Sequence, residues 1–186
     1  MRIISGTLKG RKLIEPIDIF TRPLKDLTKE SIFNILEHSN LTPMKLKNSN
    51  VLDLFAGVGS FGIECISRGA KRVTFLENYP PTLKILNQNL IKLNCSKKTE
   101  VIEENIFNIK NIPFFSKKKF HIIFLDPPYK EKELINLLDE IISLKLLAKN
   151  GLIIIHRHKK EKEVFNENFR ILKTKTYGIS KIIFGN

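Results

Sequence analysis

A chain of 186 residues has room for one domain with a sizeable core, and an apolar content of 42% excludes a disordered chain. No apolar run reaches the roughly 20 residues that a membrane span requires, and Met1 to Gly6 does not read as a secretory signal, so a cytoplasmic protein with no membrane association is expected. The net charge of +13 points to an acidic polymer as partner.

In chain order, Met1 to Leu13 reads as a small β-hairpin, Arg2-Ile3-Ile4 against Arg11-Lys12-Leu13, with Gly6 and Gly10 between. Residues 16–23 form a linker. Leu24 to Glu37 has helical spacing through Leu27, Ile32, Phe33, Ile35 and Leu36. A polar loop over 40–50 follows. These fifty residues are too few for a domain of their own, and they read as an appendage on a core spanning 51–186, the whole forming a single domain. Val51 to Leu54 is a strand, Phe61 to Ile66 a helix ended by Gly69 and Ala70, and Arg72 to Leu76 a second strand. Pro81 to Leu93 is a helix with proline in its first turn, and Thr99 to Ile102 a third strand. After a connection over 107–119, Phe120 to Leu125 is the fourth strand. Lys132 to Leu147 is a helix stopped by Lys149-Asn150-Gly151, and Gly151 to Ile155 is a fifth, buried strand. Glu161 to Phe165 reads as a short helix, and Arg170 to Lys175 with Ser180 to Phe184 as a terminal hairpin. The sum is an α/β fold: a doubly wound, Rossmann-like seven-stranded sheet with an antiparallel C-terminal edge. Cys65 and Cys95 fit free thiols in a reducing compartment. No cysteine or histidine set has metal-ligand spacing, so no metal is expected. His156-Arg157-His158, at a strand end, is expected to be solvated surface.

Two stretches carry chemistry. The first is the loop Phe55-Ala56-Gly57-Val58-Gly59-Ser60 between a strand and a helix, with Glu77 ending the next strand. Glycines let the backbone approach a ligand, and the helix N-terminus offers free N–H groups. Glu77 can accept two ribose hydroxyls. Gly57-x-Gly59-x-x-Gly62 with an acid 20 residues after Gly57 also satisfies the dinucleotide fingerprint. Asp53 decides between ligands: a fixed carboxylate beside the loop repels a pyrophosphate, but suits S-adenosylmethionine, which has no phosphate and carries a sulfonium and an ammonium.

The second stretch is Asp126-Pro127-Pro128-Tyr129, at the end of the fourth strand and hence on the ligand-binding edge of such a sheet. It resembles the [D/N]-P-P-[Y/F/W] motif of methyltransferases acting on planar nitrogens. An exocyclic amine on a base is a poor nucleophile, because its lone pair is delocalised into the ring. The Asp126 carboxylate and the Pro127 carbonyl can each accept one amino hydrogen, which aims the lone pair and stabilises the developing charge. Two prolines fix the backbone beforehand, and Tyr129 offers a stacking face.

Taken together, the chain resembles the RsmD family, bacterial enzymes that methylate the exocyclic N2 of a guanine in small-subunit ribosomal RNA. Arg2-Ile3-Ile4-Ser5-Gly6 and Gly10-Arg11-Lys12-Leu13 look like the family's opening. Thr21-Arg22-Pro23, Asp26 and Glu30-Ser31-Ile32-Phe33-Asn34 look like its next segment, and the two core motifs complete the match. Leu24, Leu27 and Lys29 depart from the family's Thr, Arg and Arg, which lowers the basic character of that helix face. Asn78 stands where an Asp often occurs.

The resemblance implies a class I methyltransferase fold with S-adenosylmethionine as cofactor and structured small-subunit ribosomal RNA as substrate, naked or within an assembled or assembling particle. A monomer is expected. Asp53, Phe55, Ala56, Gly57 and Gly59 would line the methionine end, Glu77 the ribose, and Asn78, Asn105 and Ile106 the adenine. Asp126 to Tyr129 would hold a base taken out of its stack, and Asp126 would also border the cofactor. Arg2, Arg11, Lys12 and Arg22 are the candidate phosphate contacts. Residues 1–14 are expected to serve RNA and to be dispensable for cofactor binding. Three alternatives stay open: an adenine-N6 DNA methyltransferase using the same motif, a protein-glutamine methyltransferase, and a noncatalytic RNA-binding module.

Overall fold

The computed structural model describes residues 1–16, 24–129 and 131–186. Its centre is a seven-stranded sheet of β1 (Asn50–Leu54), β2 (Arg72–Leu76), β3 (Thr99–Ile102), β4 (Phe120–Leu125), β5 (Leu147–His158), β6 (Ile171–Tyr177) and β7 (Ser180–Gly185). The strand order is β3-β2-β1-β4-β5-β7-β6, with β1 to β5 parallel and β7 antiparallel to both β5 and β6. Helices α1 (Asp26–His38), α2 (Ser60–Ser67), α3 (Pro80–Lys92) and α4 (Leu134–Ser143) accompany it. The fold is the Rossmann-like sheet of class I methyltransferases.

Alternation along the strands divides the core into two layers, because successive strand side chains point to opposite faces. Val51, Ile122, Phe124, Leu152, Ile154, Ile182 and Phe184 face the side on which α1, α2 and α3 pack. Leu52, Leu54, Ile123, Leu125, Ile153, Ile155 and Ile183 face α4 and the 3-10 turns at Ile106–Asn111 and Pro113–Lys117. Helix α2 lies close on β2: a Cβ on Gly62 would come 2.3 Å from Phe75, so glycine at that point is a packing requirement.

The N-terminal segment is part of this body. Arg2 and Lys12 form one antiparallel bridge, with a 3-10 turn at Gly6–Leu8 between them in place of a longer hairpin. Ile3 and Leu13 are buried in the first core layer. The Ile4 and Ser5 amides donate to Glu64 of α2 at 2.8 and 2.9 Å, and the Ile14 amide donates to Asn89 of α3 at 2.8 Å. The expectation that residues 1–14 are dispensable for the cofactor-binding core does not agree with this packing.

Three elements differ from their sequence-based expectation. Helix α4 ends at Ser143, short of Leu147, and Lys145 turns the chain at φ +52°. Strand β5 begins at Leu147 and runs through the stop signal at 149–151, which is an irregularity in its pairing with β4 instead. Glu161 to Phe165 forms no helix: Val164 is exposed, while Glu163 is held by ion pairs. Among the described residues no helix is long and apolar enough to cross a membrane.

Candidate active site

Strands β1, β2 and β4 end level with one another, Leu54 beside both Leu76 and Leu125. The loop at 55–59, Glu77 and Asp126 therefore leave the sheet on one edge. They surround a cavity of about 640 Å³, within the roughly 300–1,000 Å³ typical of small-ligand sites. Of the expected cofactor residues, Asp53, Phe55, Ala56, Gly57, Glu77, Asn78, Asn105, Ile106 and Asp126 line it, and Pro127 and Pro128 complete its rim. Gly59 and Tyr129 lie outside that lining. Gly59 is the N-cap of α2, at φ +85°, a conformation suited to glycine.

Hydrogen bonds make the loop rigid. The Ala56 amide donates to the Leu76 carbonyl at 3.2 Å, and the Gly57 amide to Glu77 Oε2 at 2.9 Å. Glu77 Oε1 accepts from the Asn78 and Tyr79 amides at 2.9 and 3.0 Å. The carboxylate thus ties the loop after β1 to the turn after β2. Phe55 sits at φ +60°, unusual for a bulky side chain, and its ring meets Phe107 edge-on at 5.9 Å. Asn105 caps the adjoining 3-10 turn by accepting from the Phe107 amide at 3.0 Å.

Asp53 is 1% exposed, and its Oδ2 accepts from the Gly62 amide in the first turn of α2 at 2.9 Å. Burial, with a smaller push from the Asp126 and Glu77 carboxylates, holds its carboxyl well above the usual range despite that bond. Glu104 and Glu131 also face the cavity. Among the described residues that line it, the charged side chains are all carboxylic acids, beside the phenol of Tyr79, in a protein of net charge +13.

The segment after β4 is held from β5. His156 Nδ1 lies 2.7 Å from Asp126 Oδ1, and His156 Nε2 lies 2.8 Å from Ser180 Oγ. Arg157 donates to the Pro128 carbonyl at 2.9 Å, to the Glu131 carbonyl at 3.1 Å and to Glu163 at 2.6 Å. Glu163 also pairs with Lys181 at 2.7 Å. Burial alone would push the Glu163 carboxyl up; the Lys181 and Arg157 bonds outweigh it and hold it below the usual range. Tyr129 meets the His158 ring edge-on at 5.0 Å. His156 and Arg157 are each 3% exposed, so the solvated surface expected for His156-Arg157-His158 is corrected for its first two members. The sequence signal was thin: polar residues after an apolar strand usually mark its end, and only β7 pairing beside β5 buries these two.

The basic candidates divide. Arg2, Arg11 and Lys12 are exposed, and Arg2 Nε lies 3.9 Å from Asp26, two residues beyond the cavity-lining Leu24. Arg22 lies outside the described residues. Lys29 of α1, one of the three departures from the family's pattern, is fully buried. Its Nζ donates to the Arg2 carbonyl at 2.8 Å and to Ser60 Oγ at 3.2 Å, and lies 3.6 Å from Glu64.

The family model described as Conserved hypothetical protein 95 matches residues 1–186. A Haemophilus influenzae protein named Ribosomal RNA small subunit methyltransferase D is 38% identical over 184 residues, covering 96% of this chain and 90% of its own. The protein of the same name from Buchnera aphidicola of Acyrthosiphon pisum is 37% identical over 177 residues, covering 93% and 86%. The chain belongs to the RsmD family. Among solved structures, Escherichia coli yhhF superposes with a TM-score of 0.82 at 26% identity, covering 100% of this chain and 96% of that one.

In this RsmD-family chain the cavity residues fit S-adenosylmethionine. The desolvated Asp53 and its carboxylate neighbours favour a cationic ligand, and Glu77 lies at the end of β2 with carboxylate oxygens that accept hydrogen bonds. A pyrophosphate would meet the same carboxylates at a cost. Among the described residues no group of three or more His, Cys, Asp or Glu could hold a metal ion.

Proposed function

We propose that this protein methylates the exocyclic N2 amine of a guanine in small-subunit ribosomal RNA, with S-adenosylmethionine as methyl donor. The observation that carries the reading is the Asp126 carboxylate, fixed by His156 at the rim of an acidic cavity in a chain whose relatives are named small-subunit RNA methyltransferases. When bound, the cofactor supplies a methyl group made electrophilic by its sulfonium.

The chain's residues do the rest. Asp53, Phe55, Ala56, Gly57 and Gly59 hold the methionine end, with Asp53 opposing its positive charge. Glu77 accepts from the ribose, and Asn78, Asn105 and Ile106 border the adenine. Asp126 and the Pro127 carbonyl accept the two amino hydrogens of the base, which turns the nitrogen lone pair toward the methyl carbon. The carboxylate then stabilises the positive charge that grows on nitrogen. Pro128 holds the backbone and Tyr129 stacks on the extruded base.

RNA docks on the exposed Arg2, Arg11 and Lys12, together with Arg22, through phosphate contacts that position without reading sequence. Residues 1–50 serve as the RNA-facing part of the single domain, which acts as a monomer in the cytoplasm. Incubating the purified protein with methyl-labelled cofactor and separated ribosomal RNAs tests the reading. Label is expected in small-subunit RNA, offered naked or as the particle; label only in DNA or protein overturns it.

A further inference from the structure

Asp126, His156 and Ser180 are connected in the order carboxylate, imidazole, hydroxyl, as in hydrolytic triads. Here the working end is reversed. Ser180 is only 4% exposed and stands on β7 away from the cavity lining, so no substrate carbonyl can reach its oxygen. The carboxylate end, in contrast, faces the cavity.

We infer that His156 is a positioning residue for methyl transfer: it fixes the orientation of the Asp126 carboxylate from the rigid strand β5, with Ser180 fixing the imidazole in turn. The inference rests on the role of Asp126 proposed above. An ionised carboxylate only accepts hydrogen bonds, so Nδ1 carries the proton and donates to Asp126 Oδ1. Nε2 faces the Ser180 hydroxyl at 2.8 Å, which holds the ring from its other side. Asp126 itself lies just beyond the last β4 residue, level with His156 on the neighbouring strand. β5 continues past the end of β4 and is clamped there by β7, with His156 opposite Ile182. The next residue, Arg157, holds the Pro128 and Glu131 carbonyls, so adjacent β5 positions fix the side chain and the backbone of the motif separately. Misplacing a reacting group by about 1 Å costs on the order of 100-fold in rate, so such a brace matters to the chemical step.

The test compares single-turnover methyl transfer and calorimetric binding of S-adenosylhomocysteine in wild type, His156→Phe, His156→Asn, His156→Gln and Asp126→Ala. His156→Phe is expected to slow the chemical step by about 100-fold while leaving homocysteine-cofactor affinity unchanged. His156→Asn, whose amide nitrogen occupies the place of Nδ1, should recover most of the rate; His156→Gln, with nitrogen near the place of Nε2, should not. A normal rate in His156→Phe, or equal rates in the Asn and Gln variants, overturns the inference, and the Asn and Gln pair decides it if the Phe variant fails to fold. Asp126→Ala separates the two levels. An inactive Asp126→Ala beside an active His156→Phe removes His156 alone, whereas an active Asp126→Ala removes the role of Asp126 and the inference with it.

Discussion

A carboxyl buried as deeply as Asp53 costs stability when it ionises, and that cost has a pH signature. Its folded pKa is raised, so below the unfolded value of about 3.9 both states are protonated and the group contributes nothing. As pH rises above that value the unfolded state loses its proton first, the folded state binds more protons, and stability falls until the folded pKa is passed. Asp53→Asn keeps an acceptor for the Gly62 amide. The ligand-free variant is expected to be more stable than wild type near neutral pH, with a flatter dependence of its urea midpoint between pH 4 and 8. It should also bind S-adenosylmethionine more weakly, by about 1.5–3 kcal/mol for a lost charged contact. A less stable variant with wild-type affinity would contradict the role given to Asp53. Glu77→Gln should weaken binding of S-adenosylhomocysteine by a similar amount, about 1.5–3 kcal/mol, and calorimetry reads it directly. Asp53, Glu77 and Asp126 were legible in the sequence because each stands at a strand end beside a glycine or proline signal. His156 and Arg157 were not, because their partners come from segments distant in sequence: Asp126, Pro128 and Ser180 meet them only through sheet order.

At the scale of elements, Glu64 joins the N-terminal segment to the core. Its fully buried carboxylate accepts from the Ile4 and Ser5 amides and from Arg68 at 2.8 Å, beside the buried Lys29. Burial pushes the Lys29 amine down, and Glu64 is the chief influence opposing that shift. Removing one partner of a buried ion pair leaves the other uncompensated, so Glu64→Ala is expected to cost about 3–5 kcal/mol in urea unfolding. An unchanged midpoint would show that the N-terminal segment is not anchored there. The same anchoring makes removal of residues 1–14 a test of folding, since it strips Ile3 and Leu13 from the core. Point changes at Arg11 and Lys12 are the cleaner probe of RNA contact. Most elements from β1 to β4 follow from period and glycine or proline punctuation. The end of α4 and the start of β5 do not, because Leu144 to Leu147 prolongs the helical pattern while Asn150-Gly151 imitates a helix stop. Strand pairing with β4 overrides both local signals.

At the scale of the whole molecule, charge is sorted: a surface rich in lysine and arginine surrounds an acidic cavity. The cavity suits a cationic cofactor and the exterior a polyanion. RNA affinity is expected to fall as salt rises, with a log–log slope of roughly 0.7–0.9 per phosphate contact. Arg11→Ala and Lys12→Ala should each reduce that slope and leave cofactor affinity unchanged; unaltered RNA binding at all salt concentrations would move the docking face elsewhere. The doubly wound seven-stranded class and the position of the site at the strand ends followed from the sequence as a whole; the order of the strands came only with the structure. The base that is modified is a finer matter, because Asp126 and the Pro127 carbonyl could orient either guanine N2 or adenine N6. Mass spectrometry of nucleosides from small-subunit RNA treated with the purified protein and S-adenosylmethionine addresses it most directly. N2-methylguanosine is expected as the new nucleoside, absent with Asp126→Ala; N6-methyladenosine in its place, or no methylated nucleoside at all, would overturn the assignment of the base.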